Sequence, residues 1–75
     1  MTDKINLKKE VGGRIKEARK NTSLTQKEVA SILRMTQQQY SRFENGIFEL
    51  DYLGLIEISK LYDVSVDFLL GLNQA

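Results

Sequence analysis

The stretch that decides the fold is residues 25–46, TQKEVASILRMTQQQYSRFENG. Thr25-Gln26-Lys27-Glu28 has the form of a capping box, in which the Thr hydroxyl accepts from the Glu28 amide and the Glu28 carboxylate accepts from the Thr25 amide. Val29, Ala30 and Leu33 then supply the apolar face of a short helix. Thr36-Gln37-Gln38-Gln39 repeats the box with Gln in the fourth position; Tyr40 and Phe43 follow, and Asn45-Gly46 reads as a helix stop. The two caps stand 11 residues apart, which leaves only a tight turn at Arg34-Met35 between the helices. Two capped helices joined this closely form a helix-turn-helix.

Outward from that unit, every further element is also helical. Val11, Ile15 and Ala18 make an i, i+4, i+7 stripe for a helix over about Leu7 to Lys20. Gly12-Gly13 falls inside it and weakens it by about 1 kcal/mol per Gly relative to Ala, so close approach of a neighbouring helix is the expected reason for glycine there. A phosphate-cradling loop is a poor reading, since no strand precedes the pair and no Gly-Lys-Ser follows. Asp51 is the expected N-cap of a helix running to about Tyr62, with Tyr52, Leu55, Ile58, Ser59 and Tyr62 on its inner stripe. Ser65 caps a last short helix that Asp67 supports through the helix dipole and Gly71 ends. The fold class is therefore all-α: five short helices in one domain spanning 1–75.

Composition narrows the function. The 75 residues include no Cys, His, Pro or Trp, which excludes disulfides, structural zinc and thiol or imidazole catalysis. With 41% hydrophobic and 28% charged residues the chain is expected to be globular, with neither a membrane span nor a secretion signal, and a cytoplasmic location fits. Carboxylates are scattered without a pairing that would serve acid–base chemistry, so no enzyme, cofactor or metal site is expected. The net charge of +1 conceals a division: ten basic residues against five acidic ones up to Gly46 give +5, and Lys60 alone against five acids from Ile47 onward gives −4. Such asymmetry points to a polyanionic partner for the basic half.

From Val11 to Leu70 the chain resembles the phage-repressor and Cro-like helix-turn-helix regulators, the XRE family. The resemblance is carried by Gly13–Arg19, Leu24–Ala30, Tyr40–Gly46 and Tyr62–Gly71, in order and at the family's spacing. It implies a compact five-helix, lambda-repressor-like domain that binds double-stranded DNA as a homodimer on a two-fold site, with the third helix in the major groove. With Tyr40 inward, 100° per residue places Gln38, Ser41, Arg42 and Asn45 outward and Gln37 at the leading edge. The family's base-reading positions fall on Gln37, Gln38, Ser41 and Arg42. A Gln amide can pair with adenine N6 and N7, and Arg42 can take guanine O6 and N7 or a phosphate. Solvated Gln on a surface helix is the alternative.

The resemblance also puts Thr25, Thr36, Gln39 and Asn45 on the sugar-phosphate backbone, an addition to the caps that already explain Thr25 and Thr36. Gln26 follows a cap where outward backbone amides and the helix dipole suit a phosphate. The resemblance makes Arg19 and Glu44 a structural ion pair between the first and third helices. Arg34 stands where many members have Gly; if it is left-handed, its side chain costs about 1 kcal/mol. Ile47 and Phe48 stand where relatives often carry Lys or Arg. Ile47, Phe48, Leu53 and Phe68 are expected to form a dimer or partner interface, the alternative being that they complete the core. The expected function is transcriptional repression without catalysis. There is no room in 75 residues for an effector domain, so control would come through occupancy, dimerisation or another protein. A restriction-modification controller protein fits the same length, and the rival is an antitoxin-like protein-interaction module.

Overall fold

The computed structural model describes residues 4–72, with side chains from residue 7 onward. Among them the structure is all-α. Helix α1 spans Lys4–Lys20, α2 Gln26–Ile32, α3 Gln37–Glu44, α4 Tyr52–Tyr62 and α5 Val66–Leu70. Helix α1 begins three residues before the expected Leu7.

The four later helices share one kind of punctuation. Thr25, Thr36, Asp51 and Ser65 sit in extended backbone, and each accepts from the amide three residues on, as the sequence leads one to expect. Each of these helices also ends in a residue with positive φ: Arg34, Gly46, Asp63 and Gly71. In α3 the Ile47 amide reaches back to the Arg42 carbonyl at 2.9 Å and the Gly46 amide to Phe43 at 3.2 Å, which is a Schellman turn. In α2 the same pair of bonds runs from Met35 to Ala30 and from Arg34 to Ser31. Helices of five to eleven residues are too short to hold in isolation, so caps at both ends and packing must supply what length does not.

Helix α1 is the spine: it packs on α3, α5 and α4, while α2 packs on α3 and α4 on α5. The buried centre consists of Ile15, Ala18, Val29, Ala30, Tyr40, Ile58, Tyr62 and Leu69, with Val11, Leu24, Leu33, Met35, Phe43 and Leu55 among the half-buried residues around it. The hydroxyls of Tyr40 and Tyr62 hydrogen-bond to each other inside this core and link α3 to the end of α4. One inner-stripe assignment needs correction. Tyr52 is 74% exposed and lies at the first turn of α4, before that helix reaches the core. Ser59 is half-buried and turns its hydroxyl onto the Ile56 carbonyl, 2.8 Å away.

The two adjacent glycines of α1 have different reasons. A Cβ on Gly12 would lie 2.5 Å from the Phe43 carbonyl oxygen and 2.6 Å from that of Glu44, where only backbone could yield. A Cβ on Gly13 would meet nothing within 4 Å. The close approach expected of the pair thus belongs to Gly12 alone. Gly12→Ala should destabilise the protein by roughly 1–3 kcal/mol through overpacking. Gly13→Ala should stabilise it by about 0.5–1 kcal/mol through helix propensity. Urea unfolding of the two variants would show shifts of opposite sign.

Candidate nucleic-acid interface

The α2–turn–α3 unit is built on the left-handed residue Arg34, φ 61°, which closes the Schellman turn of α2 and delivers the chain to the Thr36 cap. The guanidinium of Arg34 is in solvent and finds no hydrogen bond or ion pair among the described residues. The backbone strain at Arg34 is therefore not offset by a side-chain hydrogen bond or ion pair among the described residues.

Helix α3 is divided sharply by side. Tyr40 and Glu44, one turn apart, are buried, and Phe43 is half-buried. Gln37, Gln38, Gln39, Arg42 and Asn45 are exposed, with Ser41 half-buried between them. The outward set expected from the spacing is thus brought to one face. Asn45 Nδ2 donates to Ser41 Oγ at 3.3 Å, joining two members of that face.

Both capping boxes close. Thr25 Oγ1 accepts from the Glu28 amide at 3.1 Å and Glu28 Oε1 from the Thr25 amide at 2.9 Å. Thr36 Oγ1 accepts from the Gln39 amide at 3.1 Å and Gln39 Oε1 from the Thr36 amide at 2.9 Å. Gln39 therefore keeps its two Nε2 hydrogens free of any hydrogen bond among the described residues. Gln26 is more committed than the sequence suggests. Its Nε2 donates to Glu44 Oε1 at 2.9 Å, which ties one of its two side-chain hydrogens to the buried carboxylate.

Beneath this face lies the anchor. Glu44 is 4% exposed, and Arg19 reaches it from α1 with Nε to Oε2 at 2.7 Å and Nη2 to Oε1 at 3.3 Å. Arg19 also donates to the Leu24 carbonyl ahead of α2, at 3.3 Å. The ion pair expected between Arg19 and Glu44 is present, and Gln26 and Tyr40 join it. Burial disfavours the Glu44 charge, but hydrogen bonds from Arg19, Tyr40 and Gln26 outweigh it and hold the pKa below the ordinary carboxylate value. Tyr40 adds to the stabilisation of the Glu44 charge, and its hydroxyl hydrogen-bonds to that of Tyr62, either of the two able to donate. Burial pushes the Tyr62 phenol up to about 12 and Tyr40 higher still, so both remain protonated donors.

The expected interface residues divide. Ile47 is 56% exposed, Leu53 59% and Phe48 46%, whereas Phe68 is half-buried against the core and belongs to it. Tyr52 and Ile56 add exposed apolar surface on the Leu53 side of α4, at i, i+4 spacing. The Phe48 ring lies beneath Arg42, whose Cζ is 5.3 Å from the ring centroid. That contact and the Gln26–Glu44 bond carry no signature in the sequence. The Tyr40–Tyr62 pair does carry one, because a phenol on an apolar stripe needs a buried partner.

The helix-turn-helix defined by α2 and α3 agrees with comparison to known proteins. The helix-turn-helix family model HTH_3 matches residues 15–69, and the chain belongs to that family, the XRE-type helix-turn-helix proteins. It is similar to the HTH-type transcriptional regulator ImmR of Bacillus subtilis (strain 168), 39% identical over 64 residues, covering 85% of this chain and 50% of ImmR. The uncharacterized HTH-type transcriptional regulator YqaE of the same organism is 45% identical over 56 residues, 75% of this chain and 48% of YqaE. The SPbeta prophage-derived uncharacterized HTH-type transcriptional regulator YonR is 37% identical over 59 residues, 79% of this chain and 55% of YonR. The chain spans about half the length of the curated relatives it matches.

Two measurements probe this scaffold. Arg34→Gly should raise unfolding free energy by about 0.5–1 kcal/mol, since glycine relieves the left-handed strain at some entropic cost. The second is a pH series. Because the folded pKa of Glu44 is depressed, its stabilisation is complete above the ordinary carboxylate range and is lost as pH falls toward the folded value. Glu44→Gln should be less stable than the parent at pH 7, by roughly 1.5–3 kcal/mol for the lost charge-assisted bonds, and the gap should close on acidification. A gap independent of pH would show that the carboxylate charge is not what holds the network.

Proposed function

We propose that this chain is a sequence-specific double-stranded-DNA-binding regulator of transcription, acting as a repressor and as a homodimer on a two-fold operator. The observation that carries the reading is the two-sidedness of α3: its inner face is bolted to α1 and α2 through Glu44, and its outer face is a stripe of polar side chains in solvent. A helix so held can enter the major groove without moving relative to the body.

Within this reading Gln37 and Gln38 contact adenine edges, and Arg42 contacts guanine O6 and N7. Ser41, half-buried, allows the groove floor to approach. Thr25, Thr36, Gln39, Asn45 and the Gln26 backbone N–H face phosphates. The division of charge supports the same orientation: α1–α3 carry the +5 half and the segment from Ile47 onward the −4 half, so the phosphates draw in the α3 side. The dimer contact falls to Ile47, Leu53 and the adjoining Tyr52 and Ile56, while the Phe48 ring is taken up beneath Arg42. The same exposed apolar residues favour a second reading, in which they bind another protein and DNA binding is secondary. No catalytic role and no cofactor are included, and the place of action is the cytoplasm.

Selection of binding sites from random duplex DNA, with affinity then followed against salt, tests the proposal. A two-fold consensus and a steep negative salt slope are expected. No enrichment, together with retained binding to a co-purified protein, would sink it in favour of the second reading. Gln37→Ala should relax preference at one base pair per half-site by about 1–3 kcal/mol. Its melting temperature should stay near the parent's, because Gln37 is exposed and its side chain makes no hydrogen bond among the described residues.

A further inference from the structure

We propose that Phe48 is a positioning residue for Arg42, a platform that holds the guanidinium where it can read a base; this rests on the DNA-reading role of α3 given above. The Arg42 guanidinium makes no ion pair and no hydrogen bond among the described residues; its contact there is with the face of the Phe48 ring. A cation over a ring is held by the ring's quadrupole and not by an N–H bond, so all five guanidinium donors stay available.

The backbone makes this contact local and reproducible. Gly46, φ 72°, turns the chain back after α3, and the amides of Ile47 and Phe48 both donate to the Arg42 carbonyl, at 2.9 and 3.4 Å. The residue that supplies the ring is therefore tied to the residue that supplies the cation. The ring also borders an apolar groove that Leu7, Val11, Phe43 and Leu50 line with it. Arginine on a helix surface otherwise explores many rotamers, and base contact has to freeze them. A ring already beneath the side chain removes part of that cost and narrows the directions from which the fork can approach a base edge. This gives the apolar Phe48 a role at a position where a basic residue would only add charge.

Phe48→Leu keeps an apolar side chain at the edge of the groove and removes the ring quadrupole; Phe48→Tyr restores an aromatic face. In the DNA-free protein, NMR should show Arg42 side-chain protons shifted upfield by the ring, the shift lost in Phe48→Leu and kept in Phe48→Tyr. In site selection from random duplex DNA, Phe48→Leu should cut discrimination about two- to fivefold at one base pair per half-site. That should be the base pair at which Arg42→Ala abolishes discrimination. Salt slope and the other positions should be unchanged, and Phe48→Tyr should recover the parent profile. The proposal is overturned by an absent ring shift. It is equally overturned if Phe48→Leu leaves that base pair fully discriminated, or weakens every position alike as a merely structural change would. If Arg42→Ala alters no base preference while Gln37→Ala does, Phe48's role falls and the DNA-reading role of α3 survives. If no duplex is enriched at all, it is the DNA reading that has failed, and Phe48's role with it.

Discussion

Glu44 places a carboxylate inside the protein on the same helix that presents Gln37, Gln38 and Arg42 to solvent. A buried charge is tolerated only when its attraction and hydrogen bonds exceed the cost of leaving water. Here the compensation comes from three directions: Arg19 on α1, Gln26 on α2, and Tyr40 on α3 itself, with Tyr62 of α4 behind it. The network reaches four of the five helices. Hydrophobic packing alone would let α3 slide or roll on α1 at small cost, because apolar contacts have little directional preference. A buried carboxylate with a forked guanidinium on it has one good geometry, and that geometry sets which side of α3 faces out.

Around this anchor the chain consists of short pieces with marked ends. Four helices begin on a side-chain cap and stop on a residue of positive φ, so their boundaries are set residue by residue and not by length. The cost of this economy is visible at Arg34 and Asp63, where side chains occupy backbone better suited to glycine. The strain at Arg34 sits at the corner that aims α3, so the turn has kept its shape at the expense of its residue preference.

What the sequence discloses follows from the range of the forces involved. N-caps are local: the hydroxyl or carboxylate and the amide it satisfies are three residues apart, so Thr25, Thr36, Asp51 and Ser65 can all be read directly. The inner face of α3 is legible from its 3.6-residue period, and the outer face follows by subtraction. The charge of Glu44 has a readable partner in Arg19 only through the family resemblance. The bond from Gln26, 18 residues away in the chain, has no local signature. The period misplaces Tyr52, and for Phe68 it leaves interface and core both open. Tyr52 fits the periodic stripe of α4, yet that helix begins beyond the edge of the core; Phe68 lies off the expected stripe, yet on a helix of only five residues. Periodicity gives the direction of a side chain but not whether anything stands there to cover it.

Gly12 sets a dimension. The backbone of α1 touches the carbonyls that end α3 with no room for one more carbon. How far α3 stands proud of the body is therefore metered by a missing methyl group. A helix whose height is gauged in this way cannot be raised or lowered gradually by substitution at this contact. It either sits at this depth or, with any side chain at residue 12, is lifted off its seat together with Glu44. The seating of α3 and the integrity of the buried carboxylate network thus depend on one and the same contact with α1.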